Sequence, residues 1–354
     1  MIRKKSRREE SLDHAELARL LPAPGDPHLS LDRHQLLEEH LMNEIQRTAP
    51  APAPSRRPAR RVLLIGVPVT AAALAGAFAF TALTSSSGSD TNATTPAPVE
   101  APVVHIEPGS TAQLASTVEH IAAAASAGKT PEPGPGQYIY IKSKVSYLTV
   151  SHTDTDESKT LVQPLHIREV WNSPDGKQGW LDEPGYHPKG GITLNSDVER
   201  SLNAPSYDYL KTLPTDPDAL LKKIYKETKG KGNSPDQQAF TTVGDLLDEQ
   251  LAPAKLNAAL YRAAAKIPGV VVVEHVKDAA GREGIALAHV DQQSGDRTEW
   301  IFDRRTYAYL GSRAVQVKQA DGIKPGTVLE NTAVLERAVV DAQKQRPGAQ
   351  GTDA

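Results

Sequence analysis

The sequence predicts an α+β protein, a single transmembrane helix followed by an extracytoplasmic domain in which an antiparallel sheet packs on helices. Three observations carry this. Residues 62–83 are twenty-two residues without a charge, seventeen of them apolar. Residues 110–127 and 216–266 place apolar side chains at helical spacing. From Gly269 onward the period becomes that of strands and stays so.

A helix rising about 1.5 Å per residue over that apolar stretch spans a hydrocarbon layer of roughly 30 Å. Arg56, Arg57, Arg60 and Arg61 stand before it, Ser85-Ser86-Ser87-Gly88-Ser89 follow it, and no Lys or Arg recurs until Lys129. Basic flanks stay inside, so the N-terminus is expected in the cytoplasm and the rest of the chain outside. Pro68 falls within the first two turns, where its missing N–H does least harm, and membrane helices tolerate Gly66 and Gly76. The alternatives are a buried soluble helix and a cleaved signal; the 61 residues ahead of the stretch oppose the second, although Ala77-Phe78-Ala79 has the look of a cleavage site.

The net charge of −3 hides a division. Residues 1–61 carry twelve Lys/Arg against nine Asp/Glu, and residues 84–354 carry twenty-eight against thirty-four. The Arg3-Lys4-Lys5 and Arg7-Arg8 cluster suits anionic headgroups or an acidic partner, or is a solvated start, and it argues for no direct nucleic-acid partner. The chain has no cysteine, which excludes disulfides, thiolate chemistry and a Cys-based zinc site. Nearly all aromatic residues lie after residue 136, where a core is being built.

In order, residues 1–55 form a cytoplasmic segment with two short amphipathic helices. The first has Leu17, Leu20 and Leu21 on one side, and Pro22-Ala-Pro-Gly-Asp-Pro27 stops it; the second begins at Ser30 with Leu37, Leu41 and Ile45 at successive fourth positions. Helices this short bury little alone, so they either dock on a partner, through Leu17, Leu20, Leu37, Leu41 and Ile45, or are partly ordered. Residues 48–61 form a proline-rich spacer, and the membrane segment with its basic flank covers 56–84. Residues 85–109, rich in Ser, Thr and Pro, are expected to be a flexible stalk. The outer domain then runs over 110–341 and a tail over 342–354.

Within it Ser110 is expected to begin a helix closed by Gly128, and Tyr138–Tyr147, Leu165–Trp171 and Gln178–Leu181 read as strands. Residues 184–205 show no pattern. Asp216 caps a helix with Pro217 at its first turn, a second follows near Thr242–Gln250, and Pro253 opens a third. Four strands come next, over Val270–Val276, Gly284–Val290, Thr298–Phe302 and Ala308–Val317. The turns between them, Asp278–Gly281, Gln293–Asp296 and Asp303–Thr306, are short enough to demand an antiparallel meander. Thr327–Asp341 fits a last strand or a helix.

Candidate chemistry is sparse. The Asp303 turn is expected to set Phe302 near Tyr307 and Trp300 near Tyr309 on one hairpin face, either as core or as the lining of an apolar cavity. His275 and His289 fall nearly opposite each other beside Glu274 and Asp291, a possible zinc set, but a one-residue slip sends one ring to the other face, and no metal is assigned. No nucleophile elbow, phosphate loop or dinucleotide fingerprint is present. Asp182 and Glu183 beside Trp180 alternate across a strand, with no distant acidic partner for glycoside cleavage. No catalytic residue and no cofactor follow, and the reading is of a protein that is not an enzyme.

Residues 18–45 (Ala-Arg-Leu-Leu-Pro-Ala-Pro-Gly-Asp-Pro-His-Leu-Ser, then Arg33-His34-Gln-Leu-Leu-Glu-Glu-His-Leu-Met-Asn-Glu-Ile45), the arginine-flanked crossing and Leu213-Pro-Thr-Asp-Pro-Asp-Ala-Leu220 resemble a family of actinobacterial single-pass membrane proteins. Members are often encoded beside extracytoplasmic-function sigma factors. The resemblance implies topology and a possible sigma-factor partner. Trp300-Ile-Phe-Asp303-Arg-Arg-Thr306 is similar to the strand, Asp-x-x-Thr turn and strand of the half-open barrels in lipoprotein carriers and periplasmic regulators of anti-sigma factors. That resemblance implies a curved, half-barrel-like sheet around helices that holds lipid or peptide. The cytoplasmic segment lacks the His and Cys motif of zinc-binding anti-sigma domains. Two functions are therefore expected: a membrane-anchored sensor or anti-sigma-like regulator, or an envelope lipid- or lipoprotein-binding module whose N-terminus is only an insertion signal.

Overall fold

The computed structural model describes residues 95–128, 131–149, 159–248 and 251–348. The chain divides into two units, residues 1–61 and 62–354. The first lies outside the described residues, as do the apolar stretch, its arginine flank and residues 84–94.

The second unit is α+β. Its strands are β1 (Val99–Glu100), β2 (Gly109–Ser110), β3 (Tyr138–Thr149), β4 (Leu161–Val162), β5 (His166–Asn172), β6 (Gly179–Asp182), β7 (Ile192–Thr193), β8 (Val271–Lys277), β9 (Glu283–Val290), β10 (Asp296–Asp303), β11 (Tyr309–Gln316) and β12 (Val328–Val340). The helices are α1 (Leu114–Ala127), α2 (Tyr207–Leu210), α3 (Pro217–Glu227), α4 (Pro235–Asp248) and α5 (Ala254–Ala264). One open sheet runs in the order β2-β8-β9-β10-β11-β12-β3-β5-β6-β7, and β4 joins β1 to the end of β3. All the strand pairs are antiparallel.

The meander forms because each of its turns opens on an aspartate that satisfies the turn's own amides. Asp278 accepts from the N–H groups of Ala280 and Arg282, Asp291 from Gln293, and Asp303 from Arg305 and Thr306, at 2.8–2.9 Å. Such Asx turns reverse the chain in few residues. The amides of Thr306 and Arg305 hold the Asp303 carboxyl below its ordinary value. Residues 327–341, which fit strand or helix, form β12, a 13-residue strand that joins the meander to β3. The helices start on side-chain caps where the sequence offers one: Asp216 accepts from Ala219 N at 2.8 Å with Pro217 following, and Ser206 accepts from Tyr209 N.

One face of the sheet carries the helices. Val272, Ile285, Leu287, Trp300 and Phe302 pack there with Val118 and Ile121 of α1, Phe240 and Val243 of α4 and Leu260 of α5. Phe240 and Trp300 lie parallel with ring centroids 3.8 Å apart, and Tyr261 meets Phe302 edge-on. Gly244 lets α4 come this close, since a Cβ there would lie 2.8 Å from the Trp300 Nε1. Burying each such ring contributes about 1.5–3 kcal/mol. The opposite face has a smaller apolar cluster of Val273, Val276, Ala286, Ala288, Ile301 and Leu310.

Two expectations at the ends of the α+β unit are corrected. The stretch expected to remain a stalk through residue 109 joins the sheet from Val99: β1 pairs with β4, Val103 bridges Thr327, and Gly109 and Ser110 pair with Val273 and Val272 as an edge strand. The helix expected from Ser110 therefore begins at Leu114. Residues 342–348, expected to be tail, fold back over β5 and β6, where Trp171 donates its Nε1–H to the Gln345 carbonyl at 2.6 Å and Arg346 forks onto Glu169. In both cases distant backbone and charge partners supply what local periodicity lacks.

Candidate functional site

The segment from Pro96 to Ser110 is a strap that ties the start of the α+β unit to sheet strands far away in sequence. Ala101 N donates to Thr160 O, Val104 N to Gly326 O, and Val328 N to Pro102 O. Two built clusters hold it. At the first, Glu299, which has no solvent exposure, stands opposite Arg313 across the β10–β11 register, with Arg297 two residues along β10 on the same face. Arg297 donates Nε–H to Glu299 Oε1 and Arg313 donates Nε–H to Oε2, both at 2.8 Å, and the free arm of Arg297, Nη1, donates to the carbonyl of Glu107 in the strap at 2.8 Å. A carboxylate buried between two guanidiniums is satisfied only with both in place.

The second cluster lies on the helix-bearing face at the far side of the sheet. Antiparallel register carries Glu183, the residue after β6, beside β5, so its carboxylate meets His166 Nε2 at 2.6 Å, Arg168 Nη1 at 2.7 Å and His187 Nε2 at 3.4 Å. Tyr186 stacks on His166 with centroids 4.0 Å apart. Tyr186 N and His187 N both donate to the Glu183 carbonyl at 3.1 Å, closing a tight turn. Burial pushes the Glu183 carboxyl up, but the hydrogen bond from His166 and the Arg168 charge outweigh it and hold the group below its ordinary value. Burial and the Glu183 charge raise the Tyr186 phenol. Pro96, at the start of the strap, rests on this turn: a Cβ on Gly185, whose φ is +88°, would lie 3.0 Å from Pro96 Cδ.

A third cluster holds residues 342–348. Arg346 pairs with both oxygens of buried Glu169 at 2.9 and 2.6 Å, Tyr140 donates to the same carboxylate, and Lys344 sits 3.5 Å over the Trp180 ring. Burial raises the Glu169 carboxyl, yet the bonds from Arg346 and Tyr140 hold it below its usual range.

The four aromatic cavity candidates separate. Trp300 and Phe302 are core under the helices, and Tyr307 and Tyr309 are half-buried beside it. A register shift at Ile301/Phe302 pairs Phe302 with Tyr309, and Trp300 faces Ser312. Tyr307 takes a left-handed backbone, φ 56°, and lies against His120. The pairs expected across the Asp303 turn are thus displaced, because the turn takes up Tyr307 itself. His275 and His289 do not meet: a bulge between Val273 and Val276 puts His275, φ 56°, beside Arg304 at the surface, while His289 is buried against Phe240. Burial lowers the His289 pKa. Among the described residues no group of three His, Asp or Glu side chains is placed to hold a metal. Asp182 and Glu183 point to opposite faces, Asp182 toward Arg346 at 3.4 Å. The partner candidates Leu17, Leu20, Leu37, Leu41 and Ile45 and the flank Arg56, Arg57, Arg60 and Arg61 lie outside the described residues.

Sequence reasoning missed all three clusters. Their one legible trace is the run of charged and aromatic residues from Asp182 to His187 at the start of a segment without periodicity.

No family model and no curated protein matches the chain. Among solved structures, an inactive mutant of the CurK dehydratase and the dehydratase domain from the CurK module of the curacin polyketide synthase align at 14% identity. Each alignment covers 63% of this chain and 80% of that one, with a TM-score of 0.10. A likeness that slight carries no argument. No helix among the described residues is long and apolar enough to cross a membrane.

Proposed function

We propose that this chain is a non-enzymatic, membrane-anchored envelope sensor or anti-sigma-like regulator, crossing once over residues 62–83, with its N-terminus in the cytoplasm and the α+β unit outside. The observation that carries the reading is the strap. The chain leading from the apolar stretch is built into the sheet at β1, at Val103 and at β2, so a change of state in the outer unit acts directly on the tether. A signal anchor serving only for insertion has no need of such a connection.

The sheet reads as curved and half-barrel-like. Supporting this, the β8–β9 tip reaches past β10 to the strands beyond it, with Arg282 Nη2 donating to Leu310 O and Val334 O at 2.8 and 3.0 Å. The closely stacked Phe240 and Trp300 fill the space between helices and sheet where a lipid chain would lie, which favours the sensor over the lipid-handling alternative. The cytoplasmic partner is a sigma factor, met by Leu17, Leu20, Leu37, Leu41 and Ile45. The test is affinity capture of the full chain from solubilised membranes. Recovery of a sigma factor that is lost on Leu37→Asp with Leu41→Asp supports the reading; absence of any sigma factor or RNA-polymerase subunit, or unchanged function after deletion of residues 1–50, overturns it.

A further inference from the structure

Building on the tethered-sensor reading, the geometry points to His166 as a proton-operated latch that holds the 183–187 turn, and with it the first residues of the strap, on the sheet. Both nitrogens of this ring face groups that can only accept. Nδ1 lies 2.8 Å from the Pro164 carbonyl and Nε2 lies 2.6 Å from the Glu183 carboxylate. An imidazole satisfies two acceptors only when it carries two protons. In that state it is a cation clamped between Glu183 and the face of Tyr186, where charge and aromatic ring attract.

Removing one proton turns a donor into a lone pair facing another lone pair in a half-buried site, so either Pro164 or Glu183 loses its partner. Glu183 then keeps Arg168 at 2.7 Å and the looser His187 at 3.4 Å. The groups that face His166 are few. On β5 there is Arg168, and on the turn Glu183, Tyr186 and His187. On β3, Val145 stands opposite, and two places along is Tyr147, which faces Glu330 of β12. The strap contributes Pro96, seated over Gly185. The latch is therefore closed while the ring carries both protons and open once it has lost one. Glu183, held below the ordinary carboxyl value, keeps its charge opposite the protonated ring.

The experiment is hydrogen–deuterium exchange on the full chain in lipid nanodiscs at pH 5.5 and pH 8, corrected for the intrinsic pH dependence of exchange. The amides of Tyr186, His187, Ala101 and Val104 are expected to lose protection at pH 8 by at least about fivefold, while those of β9 and β10 stay unchanged. His166→Gln, which has one donor nitrogen and one acceptor oxygen at any pH, is expected to show the pH 8 pattern at both. Should that variant fail to fold, a ¹⁵N titration of the wild-type ring decides: the loss of protection must follow the His166 curve. Equal protection at the two pH values, the same pH response in His166→Gln, or a protection curve that departs from the His166 titration overturns the latch. None of these reads the cytoplasmic partner, so the sensor reading stands or falls separately on sigma-factor capture.

Discussion

The helix–sheet core and the belt of charged clusters around it are held by different forces. Under α4 and α5, Phe240, Trp300 and Phe302 are buried against aliphatic side chains and exclude water. Around that core, Arg297–Glu299–Arg313, Glu183–His166–Arg168 and Glu169–Arg346 fasten the strap and the C-terminal turn. The core is held by the burial of apolar surface. The belt is held by paired charges and fastens the strap and residues 342–348.

The comparison breaks first at its strongest points. Phe302→Ala is expected to cost about 3–5 kcal/mol in urea denaturation, by the same amount at pH 5.5 and pH 8. A pH-dependent loss there would blur the distinction. Glu299→Gln should cost about as much, roughly 3–5 kcal/mol, because two guanidiniums are left buried without their carboxylate. Replacing Arg297, Glu299 and Arg313 together with Met, Leu and Met should instead restore stability or raise it while loosening the strap. Strap protection that survives this replacement would show that Arg297 does not hold Glu107.

Acid sharpens the comparison further. Glu183 and Glu169 both have carboxyls held below their ordinary values. Each contributes stability that is present above the unfolded carboxyl value, about 4.3, and is lost as pH falls through the lower folded value. The wild type should therefore lose more stability between pH 6 and pH 3 than Glu183→Gln or Glu169→Gln does, measured by the urea midpoint. Equal losses would remove both groups from the belt. The smallest effect belongs to local structure: Asp216→Ala removes the cap of α3 and should cost about 1 kcal/mol in thermal unfolding without a change in strap protection.

What the sequence made legible follows the same division. The meander could be read because alternation, aspartate turns and the change of period at Gly269 are all local, and the Asp216 cap for the same reason. The strap could not, since two-residue strands have no period and a Pro- and Thr-rich segment has the composition of a linker. What orders it are partners at Thr327, Val273 and Arg297, more than 160 residues away. The Glu183 cluster was hidden in a similar way: His166 and Glu183 meet only because β5 and β6 pair in a particular register. The displaced aromatic pair at the Asp303 turn shows the limit even of good local signals, since one bulge and one left-handed residue, Tyr307, moved every partner.

The joining of strap to sheet can be tested through a property of the chain itself, its lack of cysteine. Val103 and Thr327 form an antiparallel bridge whose neighbours exchange hydrogen bonds, a geometry that suits a disulfide. In the full chain, Val103→Cys with Thr327→Cys should oxidise completely, and the oxidised protein should have a higher urea midpoint than the reduced one. A pair that stays reduced under oxidant, or oxidation that lowers the midpoint, would contradict a strap built into the sheet.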